Sequence, residues 1–198
     1  ALAAAIKADG GEVISLGILP DDLEQQATAY RDALEQGDLI VTSGGAGGST
    51  YDLTAAAFSR AGGEGLFTRI NIRPGRRVIA ARAGKKLMLG LPGNPPAAMA
   101  AYYLLAAPII RVLGGREAAD KTVTARLAAA LDRTRTERFF IWARTKFYGN
   151  GWQVTPLPRK PGGICAAAGA NSLIDLPPGA APAVGDEVQV VLLDTIHR

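Results

Sequence analysis

Short apolar runs alternate with amphipathic, helix-like segments along roughly the first 115 residues of this chain. The short runs have the length and boundaries of strands, and the longer segments have helical periodicity, with Asp21 as the expected N-cap of the second helix. This alternation favours an α/β fold with a mostly parallel sheet covered by helices on both faces. The pattern predicts helices over 1–9, 22–36, 52–61 and 95–113, and strands over 12–16, 38–42, 66–72, 77–82 and 85–90.

The character of the sequence changes after Gly114-Gly115. The segments beyond are short, strand-like and separated by turns rich in glycine and proline. They predict a small all-β domain, either a barrel or a sandwich. We therefore expect an α/β domain over 1–115 and a β-domain over 116–198. The strand-like segments of the second domain are 121–131, 137–147, 152–157, 172–176 and 186–194.

A glycine-rich loop, Thr42-Ser-Gly-Gly-Ala-Gly-Gly-Ser-Thr50, joins the predicted strand 38–42 to the helix 52–61. Glycines let the backbone approach a ligand closely, and the following helix places its positive end there, so the loop predicts an anion site. A flexible turn that binds nothing is the alternative. Asp52, at the start of the helix, either complements the helix dipole or binds Mg²⁺ beside a phosphate.

A second loop, Leu91-Pro-Gly-Asn-Pro95, also joins a strand to a helix. It is either a tight turn alone or a ligand loop, in which Asn94 offers a donor and an acceptor to a heterocycle or phosphate. Two such loops at neighbouring strand ends of an open α/β sheet form a crevice that suits an anion. Arginines around Pro74-Gly75 are either ordinary solvated side chains or guanidinium donors for an oxyanion. These arginines are Arg69, Arg73, Arg76 and Arg77.

The composition narrows the functional classes. A net charge of +4 and a pI near 9.4 suit an anionic small molecule but are too modest and scattered to favour nucleic acid. Cys165 and His197 are the single cysteine and histidine, which excludes an internal disulfide and the usual zinc sites and favours a reducing, cytoplasmic location. No uninterrupted apolar run approaches ~18–20 residues, so no membrane span is expected.

Three motifs resemble, in order, those of the MoeA family, the molybdopterin molybdenumtransferases. They are Val41-Thr-Ser-Gly-Gly45 with Asp52, Ile72-Arg-Pro-Gly-Arg76 and Gly90-Leu-Pro-Gly-Asn-Pro95. Two tail segments, 172–177 and 184–190, are similar to the C-terminal β-domain of that family. The resemblance covers nearly the whole chain, and it implies a MogA-like α/β domain followed by the small β-domain.

The resemblance also implies a role in molybdenum cofactor biosynthesis. The family binds molybdopterin or adenylyl-molybdopterin and inserts molybdate with Mg²⁺, releasing AMP. Asp52 matches the position of the expected metal ligand and catalytic residue, and Arg73 and Arg76 stand where the family has two lysines that handle the oxyanion. The other residues expected to bind the substrate by this resemblance are Thr42, Ser43, Gly44, Gly45, Gly47, Gly93 and Asn94.

The chain begins inside an alanine-rich helix without a start signal, which suggests that it was cut from something longer. By resemblance, a large N-terminal region and the first strand of the α/β domain are absent. The family's active cleft draws on that region from a second subunit, so we expect a homodimer of the full-length protein and poor activity of this chain alone. A MogA-like adenylyltransferase is the expected partner.

Three departures from the family's pattern keep other functions open. Thr50 stands where an acidic residue is usual, Arg77 replaces a proline, and serines expected near Pro161 are missing. These changes favour a second hypothesis, a non-catalytic paralogue that binds or carries molybdopterin. A third is a nucleotide pyrophosphatase of the CinA type, which shares the α/β domain but lacks the MoeA-like β-domain.

Overall fold

The computed structural model of the protein describes residues 1–44, 53–118, 122–131, 136–158 and 167–193. The chain forms two compact units, and each unit is assembled from two chain segments. Unit 1 contains residues 1–70 and 75–118, and unit 2 contains residues 71–74 and 119–198. The chain therefore enters unit 2 briefly, returns to unit 1, and then completes unit 2.

Unit 1 contains a four-stranded sheet with the strand order β1-β5-β4-β2. Its strands are β1 (Leu39–Ser43), β2 (Glu64–Phe67), β4 (Ile79–Ala83) and β5 (Lys86–Leu91). Its first helices are α1 (Leu2–Ala8), α2 (Leu23–Gln36) and α3 (Leu53–Arg60). The last helical stretch consists of α4 (Pro95–Ala101), a π-helical turn (Tyr102–Ala106) and α5 (Ala107–Leu113).

The sheet of unit 1 is mixed, so the prediction of a mostly parallel sheet covered by helices on both faces is wrong. Only β1 and β5 pair in parallel, whereas β4 is antiparallel to both β5 and β2. The reason is local, because just Gly84 and Lys85 join β4 to β5. A two-residue connection makes a hairpin, and parallel neighbours need a crossover of about a dozen residues or more.

The N-terminal part of unit 1 also differs from the sequence prediction. Residues 12–16, predicted as a strand, are not assigned to a strand in the structure. The N-cap of α2 is Asp22 rather than Asp21, and its side chain accepts a hydrogen bond from the Gln25 N–H at 2.8 Å. The prediction of Asp21 as the N-cap is therefore wrong, because both aspartates are good caps and their position in the sequence does not distinguish them.

Two hydrophobic clusters stabilise unit 1. Successive residues of β4 point to opposite sides of the sheet, so Ile79 and Ala81 join one cluster and Ala80 joins the other. The first cluster packs α2 and α3 on the sheet, with Tyr30 and Phe58 in edge-to-face contact at 5.2 Å. The second cluster contains the helices from Pro95 onward together with α1.

The helix Pro95–Leu113 is long and apolar enough to cross a membrane, although no membrane span is expected from the sequence. Its inward residues, including Ala98, Tyr102 and Ala106, are buried in the second cluster, as in the core helix of a globular domain. Pro108 is the second residue after the π-helical turn. Because proline lacks an N–H group, the α-helical hydrogen-bond ladder is interrupted there.

A polar cluster, which we call the Asp9 latch, ties the end of α1 to the long helix. The Asp9 carboxylate accepts hydrogen bonds from the Tyr102 hydroxyl at 2.7 Å and from Arg111 Nε and Nη2 at 3.0 and 2.9 Å. Asp9 and Arg111 are each 14% exposed. Burial and the hydrogen bond to Asp9 raise the pKa of Tyr102, so its hydroxyl stays protonated and donates.

Unit 2 is built around a closed five-stranded barrel rather than a sandwich. The barrel strands follow one another in the order β7-β8-β6-β10-β9, and pairing of β9 with β7 closes the circuit. A sixth strand, β3, adds in parallel to the start of β7. The strands are β3 (Ile72–Arg73), β6 (Thr122–Leu127), β7 (Arg138–Tyr148), β8 (Gly151–Pro156), β9 (Ser172–Leu176) and β10 (Glu187–Leu192).

Two buried hydroxyl groups join β7 to β9 inside unit 2. Thr145 and Ser172 are both 0% exposed, and their side-chain oxygens lie 2.7 Å apart. Ser172 Oγ also donates to the Ala143 carbonyl at 3.0 Å. The Asn171 amide continues the network, accepting from the Thr145 N–H and donating to the Thr145 carbonyl. Each buried polar group named here therefore has a hydrogen-bond partner.

Candidate functional site

The two glycine loops begin side by side at the ends of the parallel strands β1 and β5. The register pairs Ser43 with Leu91, the last residue of each strand. Beyond it, the Gly44 N–H donates to the Leu91 carbonyl at 3.2 Å. A Cβ atom built on Gly93 would lie 3.4 Å from Gly44 Cα. The parallel pairing therefore brings the first residues of both predicted ligand loops into contact.

Gly44 has a backbone conformation that only glycine adopts readily. Its φ angle is +92°, and a Cβ atom built on it would meet nothing within 4 Å. Gly44 thus satisfies a conformational requirement and leaves open space above the backbone. Gly93 and the neighbouring Ser43 are exposed, so backbone and a hydroxyl group line this surface.

Thr42 lies beneath the loops, one residue before the end of β1. Its Oγ1 is buried, and among the described residues it has no hydrogen-bond partner. A Cβ atom on Gly90 would lie 3.6 Å from this oxygen and 3.0 Å from the Thr54 methyl group. Glycine at position 90 therefore lets Thr42 and α3 pack closely, and the Thr42 hydroxyl remains available for a hydrogen bond.

Asn94 has a structural role that the sequence did not separate from ligand binding. It is the N-cap of α4, and its Oδ1 accepts a hydrogen bond from the Ala97 N–H at 3.3 Å. Pro95 occupies the first helical turn, where the missing N–H group costs nothing. Asn94 is exposed beside Gly93, so its amide NH₂ group lies at the same surface as the glycine backbone.

Several predicted site residues lie outside the described part of the chain. These are Gly45, Gly47 and Asp52, together with Thr50 and Pro161, where the sequence departs from the family's pattern. Within the described ranges there is no group of three or more His, Cys, Asp or Glu side chains that could hold a metal ion. The assignment of Mg²⁺ to Asp52 remains a prediction from the resemblance.

The structure assigns the two predicted oxyanion arginines to different units. Arg73 belongs to β3 of unit 2, and its Nε donates to Glu137 Oε2 at 2.8 Å. Arg76 belongs to unit 1, where its carbonyl accepts a hydrogen bond from the Ile70 N–H at 3.0 Å. The short motif around Pro74 is thus also the point at which the chain passes from one unit to the other.

Sequence reasoning missed the partner of Arg73, Glu137. It directly precedes β7, the strand with which β3 pairs. The next residue, Arg138, forms a two-bond pair with Asp175 at 2.8 and 2.5 Å, and this hydrogen bonding raises the pKa of Arg138. The motif Ile72-Arg73 gave no signal for a carboxylate 64 residues later in the chain.

Comparison with known protein families divides the chain in a similar way. The family described as "Probable molybdopterin binding domain" matches residues 1–112. The family described as "MoeA C-terminal region (domain IV)" matches residues 124–193. The first family match covers more than half of the chain.

Individual relatives point to the same family. The molybdopterin molybdenumtransferase of Bacillus subtilis is 28% identical over 96% of this chain, and that of Staphylococcus aureus is 28% identical over 88%. A solved structure, the molybdopterin biosynthesis MoeA protein from Pyrococcus horikosii, is 29% identical with a TM-score of 0.80 over 98% of this chain.

The chain spans less than half of these relatives, covering 45% of the Bacillus subtilis protein, 42% of the Staphylococcus aureus protein and 46% of the Pyrococcus chain. Its two family matches nevertheless follow each other in one chain, and the relatives align with both. The chain therefore belongs to the MoeA family, with a molybdopterin-binding domain followed by a MoeA C-terminal region.

Proposed function

We propose that unit 1 binds molybdopterin or adenylyl-molybdopterin at the surface formed by Gly44 and Gly93, as a step in molybdenum cofactor biosynthesis. The observation that carries this proposal is the contact between the two glycine loops at the ends of β1 and β5. Neither glycine has a side chain, so a flat or anionic ligand can approach the main chain closely. The relatives' activity on molybdopterin supports the identity of the ligand.

The buried Thr42 hydroxyl and the helix that starts at Asn94 support the same site. The hydroxyl can donate to a phosphate oxygen or accept from an amide group. The N-terminus of α4 adds a partial positive charge, which favours the phosphate of the pterin. Ser43, Gly45 and Gly47 continue the first loop in sequence and complete the proposed substrate contacts.

The proposed reaction is insertion of molybdate into adenylyl-molybdopterin with release of AMP. Asp52 binds Mg²⁺ in this proposal, and the ion supplies positive charge for the phosphate. By the family resemblance, Arg73 and Arg76 are each assigned to oxyanion binding, because a guanidinium group matches a tetrahedral dianion through two parallel hydrogen bonds. Molybdate is a substrate of this reaction and Mg²⁺ its cofactor.

The partners and location belong to the proposal as well. A homodimer of the longer protein supplies the rest of the cleft, and a MogA-like adenylyltransferase supplies the adenylylated substrate. A cytoplasmic location is proposed because a single cysteine, which cannot form an internal disulfide, fits a reducing compartment.

Calorimetry with molybdopterin tests the site. Gly93→Val is expected to weaken binding at least about tenfold, because the branched side chain covers Gly44 and blocks the approach of the ligand to the backbone. Gly65→Val is the matched control in the same unit, since Gly65 lies on β2 and a Cβ atom there meets nothing within 4 Å. If the parent and both folded variants bind molybdopterin with equal affinity, the proposed site is wrong.

A second function, a non-catalytic carrier of molybdopterin, is favoured by the ion pair between Arg73 and Glu137. A guanidinium group already paired with a carboxylate is less able to hold molybdate. The MoeA C-terminal region supports both of these functions over a pyrophosphatase of the CinA type.

AMP release tests whether this chain alone carries out turnover. The 198-residue chain is incubated with adenylyl-molybdopterin, Mg²⁺ and molybdate, and we expect binding with little AMP release, because the chain spans less than half the length of its relatives. Binding of the ground state alone gives no rate enhancement. Turnover comparable to that of an intact MoeA protein would contradict this expectation and remove the carrier function.

A further inference from the structure

Gly90 is a glycine inside the sheet of unit 1, and its backbone conformation does not require glycine. It lies on β5, paired with Thr42 of β1 on one side and with Ile79 of β4 on the other. Its φ angle is not positive, so other residues could adopt the same conformation. A glycine inside a strand weakens the sheet, and it often marks a place where another part of the chain comes close. The space beside Gly90 therefore explains why this residue has no side chain.

That space is occupied by the two chain segments on either side of the glycine-rich loop. A Cβ atom built on Gly90 would lie 3.0 Å from Thr54 Cγ2 and 3.6 Å from Thr42 Oγ1. Thr42 precedes the loop near the end of β1, and Thr54 follows it in the first turn of α3. Gly90 thus lies in contact with both segments, one before the loop and one after it.

The packing around Gly90 leaves no room for an additional methyl group. Thr54 is 2% exposed and Ile79 is 3% exposed, and Ile79 Cβ would lie 3.4 Å from a Cβ atom at position 90. A close-packed interior accommodates an extra methyl group only by shifting its neighbours. Alanine at position 90 would displace Thr54, and with it the first turn of α3, by a few tenths of an ångström.

We propose that Gly90 is a positioning residue for ligand binding, because it sets how closely the first turn of α3 approaches Thr42 and Gly44. This inference rests on the proposed function, in which the ligand binds at the surface formed by Gly44 and Gly93. Gly90 is buried and acts through the segments packed on it.

Two kinds of hydrogen-bonding group depend on this approach. The Thr42 hydroxyl is buried, and among the described residues it has no hydrogen-bond partner. The first N–H groups of α3 have no acceptor within their own helix and favour an anion. A ligand that bonds to both needs them at a fixed separation, and the contact between Thr54 and Gly90 fixes it.

The experiment moves one methyl group across the contact between α3 and β5. Gly90→Ala adds a methyl group to the strand. Thr54→Ser removes the facing methyl group from the helix and keeps the hydroxyl. The double variant does both, so the amount of packed material between the two elements is nearly conserved. Calorimetry with molybdopterin measures the affinity of each folded 198-residue chain.

We expect Gly90→Ala to weaken molybdopterin binding about fourfold. A misplacement of about 1 Å costs on the order of a hundredfold at a catalytic site, and a few tenths of an ångström correspond to about fourfold on that scale. Thr54→Ser should weaken binding less, because the first turn of α3 loses one contact without being pushed away. The double variant should restore the affinity of the parent, so the two effects should not add.

Gly65→Ala is the matched control. Gly65 is a glycine on β2 of the same unit, and a Cβ atom there meets nothing within 4 Å, so the affinity should be unchanged. Circular dichroism confirms that each variant is folded. A glycine with only a structural role would lower the free energy of unfolding when replaced, but the folded chain would bind molybdopterin as the parent does.

The outcomes separate this inference from the proposed function. If the parent does not bind molybdopterin, the proposed function is wrong and the inference falls with it. If the parent binds and Gly90→Ala binds equally well, the inference alone is overturned. Weaker binding by Gly90→Ala that Thr54→Ser does not restore also overturns it.

A Gly90→Ala variant that does not fold leaves a second comparison, between Thr54→Ser and the double variant. Tighter binding by the double variant supports the inference, because the methyl group at position 90 then replaces the one lost from Thr54. Equal or weaker binding by the double variant overturns it.

Discussion

Asp9→Ala is expected to lower the free energy of unfolding of unit 1 by about 3 kcal/mol. The substitution removes a carboxylate that accepts three hydrogen bonds from Tyr102 and Arg111. Arg111 then keeps its charge at a site where it is only 14% exposed and has lost this partner, and breaking a buried ion pair costs about 3–5 kcal/mol. We place the effect at the low end because Arg111 can still reach some solvent.

Circular dichroism at increasing urea concentration measures this effect, since the long helices described in the structure all belong to unit 1. Glu64→Ala is the control, because it breaks an exposed ion pair with Arg82 and should change the free energy by less than about 0.5 kcal/mol. If both variants unfold at the same urea concentration as the parent, the latch does not stabilise the unit.

Ser172→Ala is expected to lower the free energy of unfolding of unit 2 by about 2 kcal/mol. The alanine leaves the Thr145 hydroxyl, which is 0% exposed, without the Ser172 oxygen 2.7 Å away. The substitution also removes the hydrogen bond that Ser172 Oγ donates to the Ala143 carbonyl. A buried polar group left without its partner costs about 1–3 kcal/mol, more than the hydrogen bond itself contributes.

The double variant gives the sharper result. Thr145→Val combined with Ser172→Ala removes both hydroxyl groups. The double variant should therefore lose clearly less free energy of unfolding than the sum of the losses in the two single variants. Tryptophan fluorescence follows this unit selectively, because Trp142 and Trp152 are the only tryptophans and both belong to it. Strictly additive losses would contradict a coupled hydroxyl pair. Thr124→Val, which removes an exposed contact to Gln189, is the matched control.

The mixed sheet illustrates what the sequence pattern could and could not predict. Apolar runs located β1, β4 and β5 closely, because burial of a sheet requires them. The predicted strand 66–72 overlaps β2 only at 66–67, and 12–16 is not a strand. The direction of pairing was available from the two residues between the predicted strands 77–82 and 85–90, which are too few for a parallel crossover. The alternation of helices and strands across the rest of the unit outweighed this local signal and led to the wrong sheet.

In the candidate site, too, features that depend on short stretches of sequence could be predicted. Contacts between residues far apart in the chain could not. The sequence predicts that the two strand-to-helix loops lie at neighbouring strand ends, and the contact of Gly44 with Gly93 appears only in the structure, where β1 and β5 are adjacent. The pairing of Arg73 with Glu137 depends on β3 joining a barrel formed 64 residues later, and no local pattern encodes such a contact. Asn94 could be recognised as polar at a helix start, but its role as a cap required coordinates.

The assembly of unit 2 from residues 71–74 and 119–198 sets an order of events during synthesis. Strand β3 leaves the ribosome long before its partner β7, since Arg73 and Glu137 are 64 residues apart. At typical elongation rates of about 5–20 residues per second, β3 waits on the order of 3–13 seconds for that partner. Unit 1 must therefore fold from residues 1–70 and 75–118 while residues 71–74 between them have no partner strand. A nascent chain arrested at residue 118 would carry 71–74 as an unpaired strand.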